Sequence, residues 1–133
     1  MAIQYSVAVN NARLDAVEST TGTAPKLRIF SGSQPANCAA ADSGTLLCEI
    51  TLPSDWMNAA ASASKTLLGT WSGTATGGAA ATPTHFRIWN SGATTCHIQG
   101  TAGIGSGDLQ VNGTITSGQT VSVSSFTLNA ANT

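Results

Sequence analysis

Between Thr84 and Gly100 apolar and polar positions alternate along two segments separated by Asn90-Ser91-Gly92. Phe86 and Ile88 share one face of the first segment, with His85, Arg87 and Trp89 on the other. On the second, Cys96 and Ile98 oppose Thr95, His97 and Gln99. A period of two marks a half-buried strand. A three-residue loop with Gly92 at positive φ joins the two as a hairpin. That loop predicts Phe86 opposite Cys96, Ile88 opposite Thr94 and His85 opposite His97. A register one residue away would turn the apolar sides apart.

The same pattern recurs elsewhere. Ile3, Tyr5 and Val7 alternate in an opening arm or edge strand over 1–9, and Asn10 or Asn11 offers an N-cap to a helix from Ala12. Leu14 and Val17 share a face of that helix, and Gly22 is its stop. A helix of about ten residues is marginal alone, so it must lie on its own domain or reach a neighbouring subunit. Lys26–Phe30 alternates with Leu27 and Ile29 inward. Turn-rich sequence then runs to Asp42-Ser43-Gly44, and Leu46, Cys48, Ile50 and Leu52 share the inner face of the next strand.

Pro53 ends that strand, and Ser54 caps a predicted helix through Trp56, Met57 and Ala59-Ala60-Ala61. Strand character returns over Leu67–Trp71, while the Gly/Ala/Thr stretch 73–82 reads as a loop that adds nothing to a core. Gly103, Gly105 and Gly107 lead loosely into Leu109-Gln110-Val111 and then Ile115. Val121 and Val123 fall on one parity and Phe126 and Leu128 on the other, which a bulge near Ser124-Ser125 reconciles. The last five residues are expected to fray. About eight short strands with regular turns predict an all-β fold, an antiparallel β-sandwich for which a jelly-roll-like form is one option, with a short N-terminal helix or arm. The division expected is an arm or helix over 1–22 and one β-domain over 23–133.

Charge changes the picture. With 41% hydrophobic residues the 133-residue chain can bury one core, yet only 8% are charged, against about 25% in ordinary soluble domains. Hydroxyls and amides in place of charges protect a surface poorly against self-association, which suits a protein that ends against copies of itself or a partner. The five cations (Arg13, Lys26, Arg28, Lys65, Arg87) are scattered and the net charge is −1, so no nucleic-acid footprint is present. No run approaches the roughly 18 apolar residues of a membrane span. The opening residues lack the charged and apolar regions of an export signal, which predicts synthesis in a reducing cytoplasm. Three cysteines without a CxxC pair agree, although a Cys38–Cys48 bridge is a formal option.

Candidate chemistry is sparse. The six acids (Asp15, Glu18, Asp42, Glu49, Asp55, Asp108) form no local pair, and Glu49 reads as a solvated or salt-bridged strand position. No nucleophile elbow or phosphate-cradling glycine loop occurs. The expected His85–His97 pair offers two imidazoles to zinc or to a pH response, but a polar strand face is the plainer reading, and the sequence calls for no metal, no cofactor and no catalytic residue. Trp56, Trp71 and Trp89 are candidates for a sugar-stacking platform, Trp89 best placed among them; core packing or subunit contact is the plainer role. Trp89, His85 and His97 are therefore the ligand-facing candidates.

Asn11-Ala12-Arg13-Leu14-Asp15, Lys26-Leu27-Arg28-Ile29, Pro35-Ala36-Asn37-Cys38 and Leu52-Pro53-Ser54-Asp55-Trp56 form a pattern with His85-Phe86-Arg87-Ile88-Trp89 and Cys96-His97-Ile98-Gln99-Gly100. Together they resemble small structural proteins of tailed bacteriophages and prophages, over roughly residues 10 to 128 without the low-complexity stretch. The resemblance implies a non-enzymatic virion protein, most plausibly a capsid decoration or cement protein made in the host cytoplasm. It carries over no catalytic residues; Phe86, Ile88 and Ile98 read as core. Its implied partners are the major capsid protein and copies of itself, a trimer being favoured because capsid lattices offer three-fold sites. Ile3, Tyr5, Val7, Leu14 and Val17 are the expected subunit contact. Other readings are a tail, neck or fibre component and a glycan-binding adhesin module.

Overall fold

The computed structural model describes residues 2–130. One helix, α1 (Val7–Thr21), precedes eight strands: β1 (Lys26–Ser31), β2 (Thr45–Thr51), β3 (Ser64–Thr66), β4 (Ser72–Thr74), β5 (His85–Trp89), β6 (Cys96–Gly103), β7 (Leu109–Val111) and β8 (Thr120–Asn129). They join in the order β2-β1-β5-β6-β7-β8-β3, with β4 also on β8. Where the pattern predicts an all-antiparallel sandwich, the chain forms one curled, mixed sheet. Its parallel pair is β6 with β7. Residues 104–108 loop back to start β7 beside the end of β6, and Gly105 and Gly107 there take positive φ. Asp108 staples the turn: its carboxylate accepts from Thr101 N and Oγ1, both at 3.0 Å.

The Gly/Ala stretch does more than cross between strands. Thr76 N and Gly77 N donate to Leu47 O on β2 at 2.9 and 3.2 Å, while Ala75 N donates to Gln119 O at 2.8 Å. Ala81 and Ile115 exchange both backbone bonds at 2.8 Å. These bonds draw the β2 edge toward the start of β8 and place Ala75 in the core. A Cβ at Gly77 would lie 2.4 Å from Leu46 O, so close backbone approach explains the small residues there.

Four further expectations change. In β2 a bulge opposite Ile29 and Phe30 shifts the register, so Leu47 is buried and Leu46 is exposed, the reverse of strict alternation. The hairpin turn runs over residues 90–95: Ile88 pairs with Ile98, Trp89 with Cys96 and His85 with Thr101, not with His97. Asn90 organises that longer loop, its Oδ1 accepting from Thr94 N (2.8 Å) and Thr95 N (3.2 Å), and Ala93 takes the positive φ assigned to Gly92. Third, the alanine run after Ser54 is not helical. Trp56 and Met57 are buried, Met57 bridges Leu67, and Ala61 pairs with Ser64 across a two-residue turn with Ser62 and Ala63 at φ 51° and 57°. Burying both large side chains outweighs alanine propensity. Leu67–Trp71 is a connection between β3 and β4.

Other features follow the pattern. Leu27 and Ile29 are fully buried. The parity break in β8 is absorbed at Ser124, since Gln110 pairs with Ser125 and Val111 with Val123. Trp71 packs between Trp56 and Phe126, and Phe86 meets Phe126 edge-on at 5.5 Å. Asn129 ends β8 and Ala130 N donates to Ala63 O, so neither frays; the rest of that expectation, residues 131–133, lies outside the described residues, as does Met1.

Candidate functional site

The helix starts earlier than the asparagines suggest. Ser6 is the N-cap, its Oγ accepting from Val9 N at 3.2 Å, and Gly22 closes the helix at φ 92° with its N–H on Glu18 O. Val7 and Val9 are weak helix formers, so the helix relies on anchors outside itself. Those anchors are polar. Asn11, Asp15 and Glu18 lie on one flank of α1. Asn11 Oδ1 accepts from Ala63 N and Asp15 Oδ1 from Ala60 N, each at 2.9 Å. Lys65, 1% exposed, reaches Asp15 Oδ1 and Glu18 Oε2 at 2.7 Å and Asn58 O at 2.9 Å, which occupies all three ammonium donors. The hydrogen bond from Lys65 is the main reason the Asp15 carboxyl is held below its ordinary pKa.

Docked this way, α1 divides the expected contact residues. Leu14 is turned inward with Asn10 and Thr21, so it packs within its own chain. Val17 is half-buried and, with Arg13 and His97, lines a groove of about 280 Å³ beside β6. Ile3, Tyr5 and Val7 are exposed, and Val9, which continues their alternation and was not among the expected contacts, is exposed too. The Tyr5 ring lies 5.0 Å from the Arg13 guanidinium. Exposed apolar side chains thus stand at the amino end of a docked helix.

The face carrying His85, Arg87 and Trp89, expected to meet solvent, is covered by residues 32–44. Arg87, fully buried, donates from Nη1 to Asp42 Oδ1 at 2.7 Å, and from Nη2 to Cys38 O at 2.9 Å and Asn37 O at 3.3 Å. Arg28, directly opposite on β1, shares Asp42 and also binds Glu49 Oε2 at 2.7 Å. Both guanidinium groups lie 5.1 Å from the Trp89 ring. Two arginines facing each other across paired strands need an acid between them, and Asp42 supplies it. His85 is buried and stacks on Phe30 at 4.9 Å. Burial pushes its pKa below the ordinary 6.5, with the Arg87 charge adding to the effect and backbone contacts at Gly32 and Ser43 opposing it.

The ligand-facing candidates therefore separate. His85 is beneath the cover, His97 is beside α1, and Trp89 is half-buried among arginines. Trp56 and Trp71 belong to the core, which removes them from any sugar platform. Among the described residues no group of three or more His, Cys, Asp or Glu side chains could hold a metal ion. Asp42 and Glu49 meet on Arg28, and Asp15, Glu18 and Asp55 line an open groove of about 400 Å³. Two of them are committed to Lys65, and the lowered pKa of Asp15 is opposite to what a general acid needs. No helix among the described residues is long and apolar enough to cross a membrane. No family model, curated protein or solved structure matches the chain.

Proposed function

We propose that the chain is a structural protein of a tailed-phage virion, a decoration or cement protein that docks on the capsid through its amino-terminal patch and works in many copies. The observation that carries the reading is the contrast between patch and surroundings. Ile3, Tyr5, Val7 and Val9 are each exposed at the amino end of a protein with eleven charged side chains, and seven of those are spent on ion pairs within the chain. Arg13, Lys26, Asp55 and Asp108 are the four outside the pairs seen among the described residues. A surface so short of charge opposes close packing weakly, and apolar contact contributes about 25 cal/mol per Å² buried. Repetition over a lattice turns modest single contacts into lasting attachment.

Deleting residues 1–20 is a poor test, because it would strand buried Lys65 without its two acids. The double substitution Ile3→Glu, Val7→Glu leaves those anchors in place. The variant is expected to keep the circular dichroism and melting curve of the parent while failing to co-sediment with particles that lack the protein. Equal co-sedimentation of variant and parent would remove the patch from the account. Labelling the bound protein for electron microscopy separates a capsid position from a tail, neck or fibre one.

A further inference from the structure

Cys38 lies in the segment that covers β5, and its carbonyl is held by Arg87 Nη2 at 2.9 Å. Cys96 opens β6 directly opposite Trp89, which puts its side chain on the same covered face as Trp89 and Arg87. The two cysteines come together in the wall of one cavity of about 540 Å³, completed by Ala39, Ala40, Trp89 and Thr95. Cys38 is half-buried and Cys96 buried. The third cysteine is elsewhere: Cys48 is fully buried in the core against the β1 residues. Cys48 faces the core opposite Ile29, while Cys38 lies over the Arg87 face, so the structure does not bring Cys38 and Cys48 together. Burial, with Cys38 in hydrogen-bonding reach, pushes the Cys96 thiol up to about 11.

We infer that Cys38 and Cys96 are a disulfide-forming pair, by which a small-molecule disulfide oxidant locks the 32–44 cover onto the β5–β6 hairpin. The half-buried Cys38 gives up its proton to solvent and its thiolate attacks one sulfur of the oxidant. A mixed disulfide forms and one oxidant thiolate leaves. Cys96 then loses its proton and attacks the Cys38 sulfur, expelling the second oxidant thiolate. Two protein thiols become one disulfide, and one oxidant disulfide becomes two thiols. The raised pKa of Cys96 makes closure faster as pH rises. A bridge between positions so far apart in the chain restricts the unfolded state and ties down a segment otherwise held through Arg87 and Asp42. The inference concerns the fold's own thiols and does not depend on the virion reading.

The test treats the full chain, without denaturant, with oxidised glutathione at pH 8 and follows free thiols, intact mass and melting temperature. Expected are the loss of two of the three thiols, a mass lower by two hydrogens with no retained glutathione, and a higher melting temperature that a dithiol reductant reverses. Cleavage before aspartate separates Cys38 from Cys48 at Asp42, so mapping of the oxidised parent should join the Cys38 and Cys96 peptides without recourse to a variant. Cys48→Ala should still lose two thiols, and Cys38→Ser should lose none to an internal bridge. Retention of all three thiols, a stable glutathione adduct on Cys38, or a bridge that includes Cys48 would each overturn the inference.

Discussion

Two buried cations hold two covers onto this sheet, and they do it differently. Lys65 anchors α1 through two carboxylates, Asp15 and Glu18, and spends its third ammonium donor on Asn58 O outside the helix. Arg87 anchors residues 32–44 through one carboxylate, which it shares with Arg28, and two carbonyls. The first anchor is redundant in charge and the second is not. A buried cation that loses its last acid is far costlier than one that loses a spare. The helix that presents the apolar patch is thus the better insured of the two covers.

The largest effect should come from Asp42→Asn, which leaves Arg87 buried with no carboxylate and Arg28 with Glu49 alone. A loss of about 3 kcal/mol is expected from urea denaturation, with faster amide exchange over 32–44 and little change in α1. A cost near zero would mean that the carbonyls at Asn37 and Cys38 suffice, and the contrast with Lys65 would fail. Next comes the helix. Asp15→Asn alone should leave α1 protected from exchange because Glu18 still pairs Lys65, whereas Asp15→Asn with Glu18→Gln should release the helix, a non-additive pair. Equal effects from single and double variants would show that Lys65 needs both acids.

Smaller, and set by pH, is the contribution of His85. Its folded-state pKa is lowered, so the unfolded chain binds the proton first as pH falls below about 6.5, and stability declines from there toward the lower folded value. His85→Phe keeps an aromatic ring against Phe30 and should flatten the urea midpoint between pH 6.5 and 5. Asp15 acts in a more acidic window. Its support is present above its ordinary 3.8 and is lost as pH falls through the lowered folded value.

Why some of this was legible in the sequence and some was not follows from what alternation can encode. Phe86 and Ile88, Leu27 and Ile29, and the parity break resolved at Ser124 are faces of strands, and period two reports faces directly. Pairing across the hairpin was misread because Asn90 builds its loop with a side-chain carbonyl, leaving the positive φ to Ala93 while Gly92 passed as the obvious turn residue. α1 begins earlier than expected because Ser6 caps it, and a hydrophobic pattern does not report a polar cap. For the same reason the alternation of Ile3, Tyr5 and Val7 read as a strand, although Val7 and Val9 are helical. Its exposed members were visible in advance, and extending the alternation would have added Val9. The Arg87 cluster was hidden because Arg28 and Arg87 become neighbours only once β1 pairs with β5.

The central claim, a repeated structural tile, is tested most directly by quantitative mass spectrometry of purified phage particles against their major capsid protein. The account predicts this chain in a fixed ratio to the capsid protein, at the high copy number a lattice site demands. Absence from washed, intact particles would contradict it.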